Sequence, residues 1–184
     1  GTIDNDLYGT DYTIGFDTAI NTAIDAVDKI RDTAEAHNRL FFVEVMGRDS
    51  GYIALNAGIG SGAGAILLPE QTNDIDTLIN YLSKSSRRHK LFSIIIVAEG
   101  NHEGGATKIA ELVNERFNVF DTKVTIIGHM QRGGSPTCHD RVLASRLGFA
   151  SISHLIEGKY NGMVGQVDHK ICFTSFGDAI TKVK

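Results

Sequence analysis

The run LFFVEVM at residues 40–46 is the clearest indication of the fold class, because it is almost wholly apolar and contains β-branched and aromatic residues. The breaker GRDSG follows it directly, so we predict a buried strand that ends in a loop. Before this strand, apolar residues recur every three or four positions and predict a helix over residues 15–36. After it, SGYIALNAGIG at residues 50–60 predicts a second helix that ends in glycines.

Helices and strands continue to alternate along the rest of the chain. Strands are predicted at residues 65–70, 91–100 and 122–128, and helices at residues 74–86, 106–117 and 137–157. This alternation is typical of βαβ units, in which helices cross over between parallel strands. We therefore predict an α/β fold with a mainly parallel sheet that helices cover on both faces.

The stretch GIGSGA at residues 58–63 matches the fingerprint of dinucleotide-binding proteins. That fingerprint has a physical meaning only where it follows a strand and opens a helix. Here the predicted order is the reverse, with a helix before the glycines and a strand after them. We interpret these glycines as the end of a helix and a tight turn.

Composition limits the classes of function. The 184 residues carry a formal net charge of −4, which argues against a general nucleic-acid binder. No stretch is apolar for the roughly 18 residues that a membrane span needs, so we predict a cytoplasmic protein that binds neither nucleic acid nor membrane. Cys138 and Cys172 are not in a CxxC spacing, which favours reduced thiols. Because the chain opens within what looks like a functional loop, we expect further residues upstream.

Polar side chains follow three of the predicted strands. Arg48 comes after the first strand, Glu99 after the strand at 91–98, and His129, Gln131 and Arg132 after the strand at 122–128. Ligands of doubly wound sheets bind outside the carboxyl ends of the strands, so we expect these groups to converge. One loop arginine alone is usually a solvated side chain, and a histidine there is as often structural as functional.

The convergence predicts a site for a phosphorylated sugar. Arg48, Arg132 and the helix start after RGGSP form an anion cradle, because guanidinium groups match phosphate oxygens and helix N-termini favour negative charge. Glu99 repels phosphate, so we expect it to accept hydrogen bonds from hydroxyl groups.

The opening stretch GTIDND places two carboxylates, Asp4 and Asp6, two residues apart. A turn explains this spacing without any chemistry. The functional interpretation is that Asp4 takes a proton from a sugar hydroxyl as its oxygen attacks a phosphoryl group, while Asp6 serves a magnesium ion directly or through water.

Five stretches together resemble bacterial-type 6-phosphofructokinase, and the resemblance covers almost the whole chain. They are GTIDNDLYGTDYTIGFDTA, VEVMGRDSGYIAL, LLPE, VAEG and GHMQRGGSPTCHDRVLASRLG. The resemblance implies a two-domain α/β subunit that phosphorylates fructose 6-phosphate with ATP and Mg²⁺ in glycolysis. It implies a sugar-phosphate domain at residues 16–127, with residues 1–15 and 128–184 in a nucleotide-binding domain.

The resemblance also implies roles for individual residues. Asp4 matches the general base for the 1-hydroxyl of the sugar, Thr2 lies near the transferred phosphoryl group, and Asp6 belongs to the magnesium environment. The segment Met46, Gly47 and Arg48 lines the sugar, and Arg48 also steadies charge during transfer. The remaining sugar-phosphate contacts implied are Glu99, which holds hydroxyls, and His129 and Arg132, which contact the fructose and its 6-phosphate.

Some implied contacts come from a neighbouring subunit or from a regulatory site. Arg39 matches a 6-phosphate ligand that a second subunit supplies, and Lys123 stands where the family usually has another arginine. A lysine keeps the charge but loses the guanidinium fork. We therefore expect a homo-oligomer, with a tetramer for the full enzyme. Arg88 and Lys90 fall where basic contacts to an allosteric effector are expected.

Two other interpretations remain open. The first is the pyrophosphate-dependent enzyme of the same family. A lysine before Thr2 resembles the pyrophosphate-dependent type, whereas Gly1, which stands there in this chain, resembles the ATP-dependent type. The second is a non-catalytic module that binds a sugar phosphate, which predicts an altered TIDND stretch. The family's glycine-rich ATP-binding loops lie upstream of TIDND, so we expect the present chain alone to be inactive.

Overall fold

The structure is a computed structural model that describes residues 2–33, 39–71, 75–87, 92–182 and 184. The chain divides into two compact units, one formed by residues 20–133 and the other by residues 1–19 with 134–184. Each unit is described by itself below.

The unit of residues 20–133 is built on a parallel sheet of four strands in the order β2-β3-β1-β4. The strands are β1 (Arg39–Val45), β2 (Ala65–Leu67), β3 (Phe92–Ala98) and β4 (Asp121–Ile126). The helices are α1 (Phe16–Thr33), of which residues from Ile20 onward belong to this unit, α2 (Tyr52–Gly60), α3 (Ile75–Arg87) and α4 (Ala106–Arg116). A short 3-10 helix, Gly128–Arg132, follows β4. The predicted parallel α/β architecture is therefore confirmed.

The strands β1 and β3 are buried on both faces of the sheet, whereas β4 is partly exposed, and this burial explains why β1 is an almost continuous apolar run. Leu40 and Phe42 join Ile95 of β3 in one core cluster with residues of α3 and α4. Side chains alternate along a strand, so Phe41 and Val43 point to the other face, and they are buried as well. The central position of β1 thus sets where its carboxyl end, and the loop after it, must lie.

Two helices of this unit have glycine at the N-cap position, which provides no side-chain cap. The residues before α2 and α4 are Gly51 and Gly105, neither of which offers a side chain to the first turn. Carboxylates from elsewhere in the unit replace them. Glu70 accepts from the Gly51 amide at 2.6 Å, and Glu44 of β1 accepts from the Ala106 amide at 2.7 Å.

The structure corrects three predicted strand ends. The strand predicted at 65–70 stops at Leu67, because Pro69 has no N–H to donate and Glu70 is used at the start of α2. The strand predicted at 91–100 stops at Ala98, where Glu99 enters a turn. The strand predicted at 122–128 stops at Ile126, because Ile127 already has helical dihedral angles, with φ −73° and ψ −43°, and caps the 3-10 helix that follows.

The glycines of GIGSGA lie as predicted. The helix α2 ends at Gly60, and Gly62 adopts a φ of 64° in the turn that leads to β2. A helix therefore precedes these glycines and a strand follows them, which is the reverse of a dinucleotide-binding turn.

The unit of residues 1–19 and 134–184 contains a long helix, a hairpin and a short helix. They are α5 (Cys138–Ile156), the antiparallel pair β5 (Gly162–Val167) and β6 (Lys170–Ser175), and α6 (Phe176–Thr181). The hairpin was not predicted. Its two-residue turn is Asp168–His169, with φ values of 49° and 64°, the left-handed pair that suits a tight hairpin. No asparagine-glycine or aspartate-glycine pair announces it in the sequence.

Candidate functional site

The turn at residues 46–50, which we call the Arg48 turn, leaves the carboxyl end of the central strand β1. The Ser50 amide donates to the Gly47 carbonyl at 2.8 Å and closes it. Gly47 has a φ of 146°, and a Cβ there would lie 2.4 Å from the Ser50 carbonyl oxygen. Arg48 has a φ of 50°, which is uncommon for a residue with a side chain. The turn therefore depends on its neighbours to hold it.

Glu99 holds the Arg48 turn from the side of β3. Its Oε1 accepts from the Arg48 amide at 2.8 Å and from the Gly47 amide at 3.2 Å. We expected Glu99 to accept from sugar hydroxyls. The structure adds a second role, because one carboxylate oxygen is shared between two backbone amides. The side chain is exposed, and its Oε2 is not used in these two bonds.

Gln131 holds the same turn from the side of β4. Its side chain is 1% exposed, and its Oε1 accepts from the Met46 amide at 2.7 Å. Gln131 lies in the 3-10 helix between His129 and Arg132, both of which are exposed. The sequence pattern placed Gln131 after a strand but assigned it no role. Its burial beside a strand end is visible only in three dimensions.

The strand order explains this convergence. Since β1 lies between β3 and β4, the loops after all three strands meet at one edge of the sheet. The structure brings Met46, Gly47 and Arg48 together with Glu99 and Gln131 through direct hydrogen bonds. Met46 is only 6% exposed and its side chain is apolar, so it contributes apolar packing to the site and not a polar contact. We call residues 46–50, Glu99 and residues 128–132 the strand-end cluster.

Arg39 and Lys123 lie away from the strand-end cluster of their own chain. Arg39 is the first residue of β1, whereas the Arg48 turn follows the last. At about 3.3 Å per residue, the length of β1 separates them by roughly 20 Å. Arg39 Nε lies 3.7 Å from Asp121 Oδ2, and Lys123 Nζ lies 2.9 Å from Asp121 Oδ1. Both cations therefore surround one carboxylate at the amino end of the sheet.

The TIDND stretch is an ordered turn in the other unit. The Thr2 hydroxyl accepts from the Asp4 amide at 3.0 Å. Asn5 is 4% exposed, has a φ of 59°, and binds the next part of the chain with both ends of its amide. Its Nδ2 donates to the Asp11 carbonyl at 3.0 Å, and its Oδ1 accepts from the Thr13 amide at 2.8 Å. Asn5 thus anchors the backbone between two acids.

Asp4 and Asp6 differ in exposure on either side of this anchor. Asp4 is half-buried and Asp6 is exposed. The turn interpretation and the chemical interpretation are compatible, because the Thr2 hydroxyl and the Asn5 side chain both make hydrogen bonds that hold this turn. Among the residues that the structure describes, no group of three or more His, Cys, Asp or Glu side chains forms a metal site.

Asp140 is a buried acid that the sequence pattern missed. It is 2% exposed, and its two oxygens accept from the amides of Gly15 and Thr18, each at 2.8 Å. The Thr18 hydroxyl also donates to it. Thr137 caps α5 by accepting from the Asp140 amide, so the pattern Thr-x-x-Asp was the available signal. Asp140 ties α5 to the chain that follows the TIDND turn.

The expected effector residues Arg88 and Lys90, and Gly1 before Thr2, lie outside the described residues. No helix in the described part of the chain is both long enough and apolar enough to cross a membrane.

An open parallel sheet with polar loops gathered at its carboxyl edge defines the doubly wound α/β class. The chain belongs to the phosphofructokinase family, because the family model described as Phosphofructokinase matches residues 1–155.

Individual relatives agree with this assignment. The chain is 54% identical over all of its 184 residues to an ATP-dependent 6-phosphofructokinase of Cytophaga hutchinsonii, and it is 51% identical over the same length to an ATP-dependent 6-phosphofructokinase of Thermus thermophilus. It covers 56% and 57% of those relatives, so it spans little more than half their length. The solved phosphofructokinase of Saccharomyces cerevisiae superimposes with a TM-score of 0.89 at 32% identity, over 98% of this chain and 25% of that one.

Proposed function

We propose that this chain is the sugar-phosphate-binding part of an ATP-dependent 6-phosphofructokinase. The observation that carries the proposal is the 54% identity, across the whole chain, to a relative named for that activity. The names of the relatives favour ATP over pyrophosphate as the donor. The sugar-phosphate domain proposed at residues 16–127 is supported by the compact unit at residues 20–133.

The strand-end cluster supplies groups that suit a phosphorylated sugar. Arg48, His129 and Arg132 are exposed basic side chains, and two of them carry guanidinium forks that match phosphate oxygens. Glu99 offers Oε2 to sugar hydroxyls while its Oε1 remains on the Arg48 turn. In our proposal the same carboxylate therefore positions an arginine and orients the sugar.

The proposed chemistry is transfer of the γ-phosphoryl group to the 1-hydroxyl of fructose 6-phosphate. The hydroxyl oxygen forms a bond to phosphorus, the bond from phosphorus to the bridging oxygen of ADP breaks, and the hydroxyl proton passes to the Asp4 carboxylate. The products are fructose 1,6-bisphosphate and ADP. Thr2 is proposed to lie beside the transferred group and Arg48 to offset its charge.

The acids of the TIDND turn fit a magnesium ion. Mg²⁺ keeps several waters and takes one or two carboxylates together with substrate phosphates, so the exposed carboxylate of Asp6 suffices on the protein side. When bound, the ion would neutralise charge on the donor phosphates. We propose that the residues that hold ATP belong to the part of the relatives' length that this chain does not span.

The proposed enzyme is a cytoplasmic homotetramer with an allosteric site. We propose that Arg39 and Lys123 reach the 6-phosphate bound by a neighbouring subunit. Their position supports this, because within one chain they lie at the opposite end of β1 from the Arg48 turn. Arg88 and Lys90 are proposed as effector contacts.

Steady-state kinetics of the full-length protein with each donor test the proposal. We expect turnover with ATP and Mg²⁺ and none with pyrophosphate. Asp4→Ser should lower kcat by roughly 10²–10⁴-fold with little change in KM for fructose 6-phosphate, the usual effect of losing a general base. Asp25→Ser, at an exposed acid of α1, is the matched control and should leave kcat unchanged.

Each alternative predicts a different result from these assays. Turnover with pyrophosphate alone would show the donor assignment to be wrong. Binding of fructose 6-phosphate without turnover by any donor would favour the non-catalytic module. An unchanged kcat for Asp4→Ser would remove Asp4 from the mechanism. The present chain by itself is expected to show no turnover.

A further inference from the structure

Gln131 is a polar side chain with no assigned role at the centre of the strand-end cluster. We propose that Gln131 is a positioning residue, which fixes the Arg48 turn so that Arg48 meets the sugar phosphate. The inference rests on the proposed function, because it names a further residue of that same site. Its physical basis is a set of hydrogen bonds inside the unit of residues 20–133.

The three backbone amides that directly follow β1 donate to side-chain oxygens. The strand β1 ends at Val45, and the amides of Met46, Gly47 and Arg48 all donate to side chains instead of backbone carbonyls. Gln131 accepts from the first of them, and Glu99 accepts from the other two. The turn is therefore held by hydrogen bonds from two sides. The neutral amide of Gln131 lies after β4, and the carboxylate of Glu99 lies after β3.

The bond from Met46 to Gln131 is the buried member of this set. Met46 is 6% exposed and Gln131 is 1% exposed, whereas the bond from Arg48 to Glu99 is solvent-exposed. Because a backbone N–H can only donate, the side-chain atom that faces it must be the oxygen. A buried donor left without an acceptor loses its hydration with no compensation, so the chain would shift to recover it.

Such a shift would act on Arg48 because its backbone conformation is sparsely populated. A φ of 50° persists for a residue with a side chain only where the surroundings over-determine it. Glu99 and Gln131 provide that constraint in the described part of the unit. Gln131 also sits between His129 and Arg132 in the 3-10 helix. One side chain therefore sets the Arg48 turn against two other proposed ligands of the sugar phosphate.

A space-filling role for Gln131 predicts different behaviour. If the side chain only filled volume, Gln131→Met, which is similar in size, would be tolerated. Gln131→Glu keeps an oxygen for the Met46 amide but replaces the amide nitrogen. The positioning role therefore predicts that the Met46 amide keeps an acceptor in the glutamate variant and loses it in the methionine variant.

The test uses two measurements. The first is hydrogen exchange of the Met46 amide, followed by NMR in the present chain. The second is calorimetric titration of the full-length protein with fructose 6-phosphate. For Gln131→Met we expect Met46 exchange at least about tenfold faster and a Kd at least about tenfold weaker. For Gln131→Glu we expect a smaller change in Met46 exchange, because a glutamate oxygen can still accept from this amide. Thr122→Val removes a 2.7 Å hydrogen bond to Asn114 in the same unit and should change neither quantity.

Every outcome decides the matter. Faster Met46 exchange in Gln131→Met with an unchanged Kd, or equally fast Met46 exchange in the methionine and glutamate variants, overturns the positioning role and leaves the proposed function intact. Unchanged exchange in Gln131→Met overturns it as well. Absence of fructose 6-phosphate binding by the unaltered full-length protein is instead a failure of the proposed function, and this inference falls with it.

Discussion

Replacing Asn5 should show how much its side chain contributes to the stability of the TIDND turn. Asn5 is buried, adopts the left-handed conformation, and makes one hydrogen bond with each end of its side-chain amide. Asn5→Ala removes both bonds and leaves an alanine at a φ of 59°. Asn5→Gly removes the same bonds but has no Cβ to disfavour that conformation. The pair of variants separates the hydrogen bonds from the backbone.

The expected loss follows from these contacts. Each of the two hydrogen bonds, to the Asp11 carbonyl and from the Thr13 amide, contributes about 1 kcal/mol. The left-handed conformation costs alanine roughly 1 kcal/mol more. We therefore expect Asn5→Ala to lower the free energy of unfolding of its unit by about 3 kcal/mol. Asn5→Gly should lower it by about 2 kcal/mol, because escape from the steric cost outweighs the extra freedom of glycine in the unfolded chain.

Urea unfolding followed by circular dichroism measures these losses, and hydrogen exchange of the Thr13 amide reports on the turn itself. The exchange should accelerate in both variants, since both lack the Oδ1 that Thr13 uses. Two results would refute the reasoning. If both variants keep the unaltered stability, the side chain does not anchor the turn. If glycine costs more than alanine, by the roughly 0.4–1 kcal/mol that its freedom in the unfolded chain alone predicts, the backbone at residue 5 carries no steric cost.

Two further predictions concern the strand-end cluster and the proposed subunit interface. Gly100→Ala should destabilise the chain by about 3 kcal/mol, since its Cβ would lie 1.9 Å from the Arg48 carbonyl oxygen. The control is Gly148→Ala on α5, where a Cβ has open space, and it should stabilise the chain by about 0.5–1 kcal/mol in the same urea experiment. Mixing full-length Arg39→Ala subunits with Asp4→Ser subunits should restore part of the activity that each variant lacks, because one hybrid site then has both groups. Well-folded hybrids that stay inactive in the coupled assay would contradict a shared site.

Much of the fold was predictable because the strand β1 is central in the sheet and mostly buried. The run at residues 40–46 is apolar on both faces, and that pattern fits only a covered strand. The strand ends were less predictable: β2 stops before Pro69 and Glu70, the second of which is used at the start of α2, and β4 stops where the 3-10 helix begins. The hairpin of β5 and β6 was missed because its turn, Asp168–His169, has left-handed residues without glycine.

The site was predictable as a location but not as a network. Strand order alone brings Arg48 and Glu99 to one edge, and the resemblance supplies their expected roles. The sequence pattern could not show which side-chain oxygen accepts from which backbone amide of the Arg48 turn. Gln131 looks like an ordinary loop residue, and Asp140 looks like a helix-start acid, until their burial and their partners are known. Both act through backbone amides, which have no residue-specific signature.

The borrowed caps of α2 and α4 have a consequence for how the unit assembles. Glu70 is 19 positions from Gly51, and Glu44 is 62 positions from Ala106. Helices of 9 and 11 residues are too short to persist alone in water, and neither has a side-chain cap from its N-cap residue. Their first turns become stable only after β1 and the segment after β2 are in place. The two helices and the sheet should therefore form and melt together, as one cooperative unit.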